Sequence, residues 1–171
     1  MGKLVRFKEL VRFRRKAFRA GRKFVFTNGT FDILHRGHVE YLSRAKGFGS
    51  VLAVGLNTDA SVRRIKGAGR PINRARDRAA VLAALESVDF VCLFREDTPQ
   101  AMIARLKPDV LVKGADWSAD QIIGSDFVKA HGGSVRRVRM TSGRSTTRLI
   151  ERIVQAQRTS SDSAKQQGQK R

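Results

Sequence analysis

A chain of 171 residues, 41% of them hydrophobic, can enclose one sizeable core, and a single domain is the expectation. Its one cysteine excludes an internal disulfide, which suits a reducing cytoplasm, and no apolar run is long enough for a membrane span or a signal peptide. The formal net charge of +20 favours phosphate-bearing partners: nucleotides, phosphorylated substrates, nucleic acid or an anionic membrane.

Residues 1–23 hold ten lysines and arginines against Glu9 alone. Leu4 to Ala20 reads as a basic helix, with Leu4, Phe7, Val11 and Phe18 near one face. Either that apolar side packs on the domain, or the helix lies against an anionic membrane or nucleic acid. Phe24-Val25-Phe26 then opens a buried strand, a Thr/Asn/Gly turn follows, and Val39, Leu42 and Ala45 recur at helical spacing. Between strand and helix, His35 and His38 flank Gly37. Three positions apart, they project from one side of the first turn, where free N–H groups and the positive end of the helix dipole also point. Gly37 lets a ligand approach the backbone. The stretch is suited to a phosphate that is changing charge. Half of a zinc site is the competing reading. Helical zinc pairs are more usual at i, i+4, and His131 and Cys92 are the remaining donors, so no metal ligands are assigned.

Ser50–Leu56 is a second strand ending in Asn57-Thr58-Asp59, where Thr58 or Asp59 caps the next helix. Lys66-Gly67-Ala68-Gly69-Arg70-Pro71 reads as a mobile basic loop. Asp77 to Glu86 is helical, with Ala80, Val81, Ala84 and Leu85 on its apolar spacing. Val88–Phe94 is a third strand, and Thr98-Pro99 opens a helix through Leu106. Pro108–Val112 is a fourth strand leading into Lys113-Gly114-Ala115-Asp116-Trp117. A helical piece spans Ser125–Ala130, a fifth strand Ser134–Met140, and a closing helix Ser145–Gln157, with Leu149, Ile150 and Ile153 inward. From Arg158 onward the composition predicts a disordered basic tail. Strands alternating with helices predict an α/β fold, a doubly wound, Rossmann-like parallel sheet. Its ligand would sit beyond the carboxyl ends of the strands. Thr27–His38, Asn57–Asp59, Lys113–Trp117 and Thr141–Thr147 all follow predicted strands and are expected on that edge.

The chemistry fits nucleotidyl transfer, which needs positioning of two polyanions and neutralisation of charge more than covalent help. His35 and His38 suit this as donors, and Lys66, with Arg70 alongside, can close over the phosphates. Ser142-Gly143-Arg144-Ser145-Thr146-Thr147 forms a second phosphate cradle at a helix start. Solvated-loop and ordinary capping roles are the alternatives for these segments.

Gly29-Thr30-Phe31-Asp32 with His35-Arg36-Gly37-His38 resembles the HxGH nucleotidyltransferases of the cytidylyltransferase-like group. Adding Leu56-Asn57-Thr58-Asp59, Lys66–Asn73, Glu96-Asp97-Thr98-Pro99, Val112–Trp117 and Ser145-Thr146-Thr147, the set is similar to the adenylyltransferase domain of bacterial ADP-heptose synthases. The likeness covers roughly residues 22–155, which sets a nucleotidyltransferase domain at 22–157 between the basic helix (1–21) and the tail (158–171).

The resemblance implies transfer of AMP from ATP, with Mg²⁺, to D-glycero-β-D-manno-heptose 1-phosphate for lipopolysaccharide core synthesis. It implies catalytic roles for His35, His38 and Lys66, and nucleotide contacts from Thr30, Phe31, Gly37, Asn57, Asp59, Lys113, Gly114, Ser145, Thr146 and Thr147. Asp32, Arg70, Asp116 and Trp117 would face the substrate. Many relatives carry the domain behind a sugar kinase, so a stand-alone form served by a separate heptose kinase is expected here, its oligomeric state open. Thr30 and Arg144 stand where cysteine is more usual in the resemblance. The rivals are a glycerol-3-phosphate cytidylyltransferase and a nucleic-acid-binding protein on a retained nucleotide fold. Lys113–Trp117 argues against the first, few aromatics and intact histidines against the second.

Overall fold

The computed structural model describes residues 2–115, 118, 121–139 and 146–168, with 159–168 as backbone only. Its strands are β1 (Lys3–Leu4), β2 (Phe24–Gly29), β3 (Val51–Asn57), β4 (Phe90–Phe94), β5 (Val110–Gly114) and β6 (Ser134–Val138). Its helices are α1 (Phe7–Arg19), α2 (Arg36–Lys46), α3 (Asp59–Lys66), α4 (Ala75–Ala84), α5 (Gln100–Leu106), α6 (Ser125–Ala130) and α7 (Thr146–Gly168). The strands form one parallel sheet in the order β1-β4-β3-β2-β5-β6. The doubly wound α/β architecture expected from the alternation is therefore observed.

Side-chain alternation along the strands sorts the core into two layers. Phe24 and Phe26 of β2 and Leu111 of β5 pack with Leu10 and Ala17 of α1 and Ile103 and Leu106 of α5. Val25, Val110 and Val112 face the other way, onto Leu42 and Ala45 of α2 and Ala79 and Leu82 of α4. Every residue of β3 is buried, as a central strand covered on both faces requires.

Three expectations are corrected by this packing. The N-terminal helix packs on the domain, as one reading of its apolar side has it, but Lys3 and Leu4 are not its first turn: they form a sixth strand on β4, in register with Phe90 and Val91. Gly2 is needed there, because a Cβ would meet Val88 O at 2.3 Å. Because β1 comes first, α1 begins at Phe7 and turns Leu10, Arg14 and Ala17 inward, leaving Phe18 70% exposed. Likewise α4 buries Arg78, Ala79, Leu82 and Ala83 instead of Val81 and Ala84, since a buried arginine claims the inner face. The closing helix does not stop at Gln157 but runs to Gly168. Residues 158–168 are thus helical, and Ile153, expected inward, is 50% exposed.

Candidate active site

Neighbouring β2 and β5 pair only through Val25–Val110 and Phe26–Leu111, among the described residues. Beyond that, β2 follows β3 and β5 follows β6, and a cleft opens between them. This is the switch point where strand order reverses. The buried Tyr41 hydroxyl braces its base, donating to Val112 O at 3.0 Å and lying 2.7 Å from Thr27 Oγ1. Lys113 Nζ spans the two strands nearer the mouth, 2.5 Å from Asn28 Oδ1. The cleft measures about 390 Å³, with Thr30, Phe31, His38, Asn57, Lys66 and Lys113 among its walls.

α2 enters this cleft at its N-terminus. His35 is the N-cap residue, in extended conformation, and its carbonyl accepts the N–H groups of His38 at 2.8 Å and Val39 at 3.3 Å. One turn then stacks the imidazoles of His35 and His38, centroids 3.9 Å apart and planes 21° from parallel. Phe31 meets the His38 ring edge-on at 5.2 Å. To do so Phe31 adopts φ +42°, a conformation costly for an aromatic L-residue, on the order of 1–3 kcal/mol. His38 Nδ1 is buried without a hydrogen-bond partner, which leaves the Nε2 edge for the cleft. Burial first, and the charge of His35 second, push the His38 pKa down to about 4. At neutral pH the His38 ring is therefore uncharged.

Three aspartates around the cleft are each paired with an arginine. Asp32 accepts from Arg70 Nη1 and Ile72 N at 2.8 Å and from Asn73 N at 3.0 Å. Burial would raise the Asp32 pKa, but the Asn73 and Ile72 N–H groups and the Arg70 guanidinium together outweigh it and hold the carboxyl below its ordinary value. The pair pins the loop after α3, with Gly67 at φ +94° as its hinge residue. Asp59 pairs with Arg78 at 2.8 Å, and Asp97 with Arg64 at 2.7 Å. With those carboxylates neutralised, Lys66 and Lys113 leave the cleft electropositive.

The expected residues divide accordingly. His38, Thr30, Phe31, Asn57, Lys66, Lys113 and Gly114 line the cleft, and His35 stacks on His38. Gly37 is buried inside the first turn of α2. Asp32, Arg70 and Asp59 are committed to contacts within the chain. Thr146 begins α7 and its hydroxyl lies 3.5 Å from Ile33 O, which brings Thr146 and Thr147 near the histidine turn. Asp116, Trp117 and Ser145 lie outside the described residues.

Sequence reasoning missed Arg78, which is 2% exposed and reaches Asn73 O, Thr30 O, Asn57 O and Asp59 Oδ1. It ties the loops after β2 and β3 to the start of α4. An arginine on the inner face of an alanine-rich helix was its only signal. Ile65, Pro99, Ile122 and Ile123, an apolar wall of the cleft, were also missed. The adjacent isoleucines outside any periodic run were the readable clue.

A parallel sheet with a crevice at its switch point, and stacked histidines at a helix N-terminus inside it, define a nucleotidyltransferase. The chain belongs to the cytidylyltransferase-like family, which it matches over residues 26–161. It is 54% identical over 134 residues to the bifunctional protein HldE of Citrifermentans bemidjiense, covering 78% of this chain and 28% of the relative. It is 53% identical over 136 residues to the bifunctional protein HldE of Geobacter metallireducens, covering 80% and 28%. The chain thus spans under a third of the length of these relatives. Among solved structures, the lipopolysaccharide core biosynthesis protein of Thermoplasma volcanium GSS1 aligns with TM-score 0.58 and 31% identity, over 71% of this chain and 98% of that one. The pantoate-beta-alanine ligase of Francisella tularensis shares the fold, at TM-score 0.58 and 14% identity, over 85% and 69%. The chain is a nucleotidyltransferase of the cytidylyltransferase-like family.

Proposed function

We propose that this chain transfers AMP from ATP to D-glycero-β-D-manno-heptose 1-phosphate, forming ADP-heptose and pyrophosphate. The observation that carries the reading is the stacked His35–His38 pair at the N-terminus of α2, opening into a cleft whose aspartates are neutralised. An oxygen of the sugar phosphate attacks the α-phosphorus in line. The new P–O bond forms as the α,β-bridging bond breaks, and the electron pair leaves with pyrophosphate. His35 and His38 donate to the phosphoryl oxygens as negative charge builds, Lys66 covers the leaving phosphates from the end of α3, and Thr146 and Thr147 approach from α7. Ile65, Ile122 and Ile123 offer an apolar wall to the adenine.

Among the described residues, no three His, Cys, Asp or Glu side chains converge as a metal cage. Mg²⁺ enters this reading as part of the MgATP substrate. A separate sugar kinase would supply the acceptor, and a cytoplasmic setting suits both substrates. The test is pyrophosphate release with ATP or CTP crossed against α- and β-heptose 1-phosphates and glycerol 3-phosphate. Release confined to ATP with the β-heptose phosphate is expected. Release with CTP and glycerol 3-phosphate would overturn the substrate while leaving the mechanism standing.

A further inference from the structure

The charge of α1 is not accounted for by the cleft. At about 100° per residue, Lys8, Arg12, Arg15 and Arg19 fall within about 60° of one another, opposite the buried Leu10 and Ala17. All four are exposed. The stripe is about 17 Å long. It brings like charges together at i, i+4 (Lys8 with Arg12, Arg15 with Arg19), which weakens a helix unless a polyanion lies against it.

Beside the stripe, α1 and α5 enclose a groove of about 400 Å³. Its floor is Val11, Phe18 and Leu106, and Arg14, Arg105 and Lys107 stand around it. Arg14 is 9% exposed; it donates to Lys107 O and Asp109 Oδ1, while its Nη1 is buried without a hydrogen-bond partner. Its guanidinium lies 5.3 Å from the ring of Phe18. The groove thus combines cations with an apolar floor and an exposed aromatic ring.

We infer that α1 and this groove dock the protein on an anionic lipid surface, the groove taking the phosphate headgroup and upper methylenes of one lipid. The chemistry favours lipid over nucleic acid. The groove is lined by aliphatic Val11 and Leu106 and by the single ring of Phe18, a seat for acyl methylenes, whereas stacking of successive bases calls for a series of exposed aromatics. The topology permits turnover while docked. α1 runs into the N-terminal end of β2, and Lys107 precedes β5, so the groove lies toward the N-terminal edge of the sheet, away from the nucleotide cleft. No helix among the described residues is long and apolar enough to cross a membrane, so the contact is peripheral.

The test is co-sedimentation of the full chain with phosphatidylcholine vesicles containing either no anionic lipid or roughly 30% phosphatidylglycerol. Binding to the anionic vesicles alone is expected, falling steeply between about 0.1 M and about 0.5 M salt. The triple variant Arg12→Gln, Arg15→Gln, Arg19→Gln should bind roughly 100-fold more weakly, with pyrophosphate release in solution unchanged. Phe18→Ser should lose the binding that survives at high salt. Failure of the wild-type chain to bind anionic vesicles at low salt would overturn the inference, as would tighter capture by a single-stranded oligonucleotide. Neither result touches the AMP-transfer reading, which the soluble assay tests separately.

Discussion

Replacing Arg78 by methionine keeps the aliphatic stem in the core and removes the guanidinium. Four hydrogen bonds go with it: to Asn73 O, Thr30 O, Asn57 O and Asp59 Oδ1. Truncating one member of a buried ion pair costs about 3–5 kcal/mol, and each buried carbonyl left without a donor about 1–3. These terms are not additive, and the Asp59 side chain is 30% exposed and regains water. The expected loss is therefore about 4 kcal/mol, a large part of the roughly 5–15 kcal/mol that holds a domain folded. For a domain of this size the melting temperature should fall by about 8–16 °C. Arg78→Lys keeps a point charge and one or two of the bonds, and should lose about half as much. Urea and thermal unfolding followed by circular dichroism, with ATP KM measured on the folded fraction, would read both effects. A loss below about 1 kcal/mol for Arg78→Met would refute the view that this one guanidinium fastens the loops after β2 and β3 to α4.

His38→Ala should lower kcat by about 10²- to 10⁴-fold while ATP affinity measured by calorimetry stays near wild type, because the donor acts mainly as charge develops; a near-normal kcat would remove His38 from the mechanism. His38 titrates near 4 in the folded chain and near 6.5 unfolded, so the unfolded state takes up a proton first as pH falls. Stability should therefore decline from pH 7 to pH 5 by about 2 kcal/mol from this group alone, and urea midpoints of His38→Gln should lack that component. Asp32→Asn gives up the charge that holds Arg70 and the N–H groups of Ile72 and Asn73, so the loop should open: trypsin should cut faster after Lys66 and ATP KM should rise. Unchanged proteolysis would show that other contacts hold that loop.

Much of the fold was legible because its signals are local. The continuous apolar run of β3, Pro99 before α5 and Thr58 before α3 each mark an element within a few residues. The histidine turn was legible for the same reason, since an i, i+3 pair at a helix start needs no tertiary information. What escaped depends on distant partners. β1 is two residues long and exists because β4 offers an edge, so no periodicity announces it. The rotation of α1 is set by Arg14 reaching Lys107 and Asp109, more than ninety residues away. Asp32 and Asp59 have the side chains of ligand-contacting residues, and their pairing with Arg70 and Arg78 is visible only once the loops have met.

Asp109 gives the N-terminal helix a wider consequence. One of its oxygens accepts from Arg14 Nη2 at 2.8 Å and the other from Phe24 N at 2.7 Å, so a single carboxylate latches α1 to the start of β2 beside β5. The family match begins at residue 26, inside β2. A chain trimmed to that boundary would lose the latch and strip the cover from Phe26, Leu106 and Leu111, turning one core layer into an open apolar face. In this protein the packed core extends beyond the family's shared segment, and α1 covers one of its two layers.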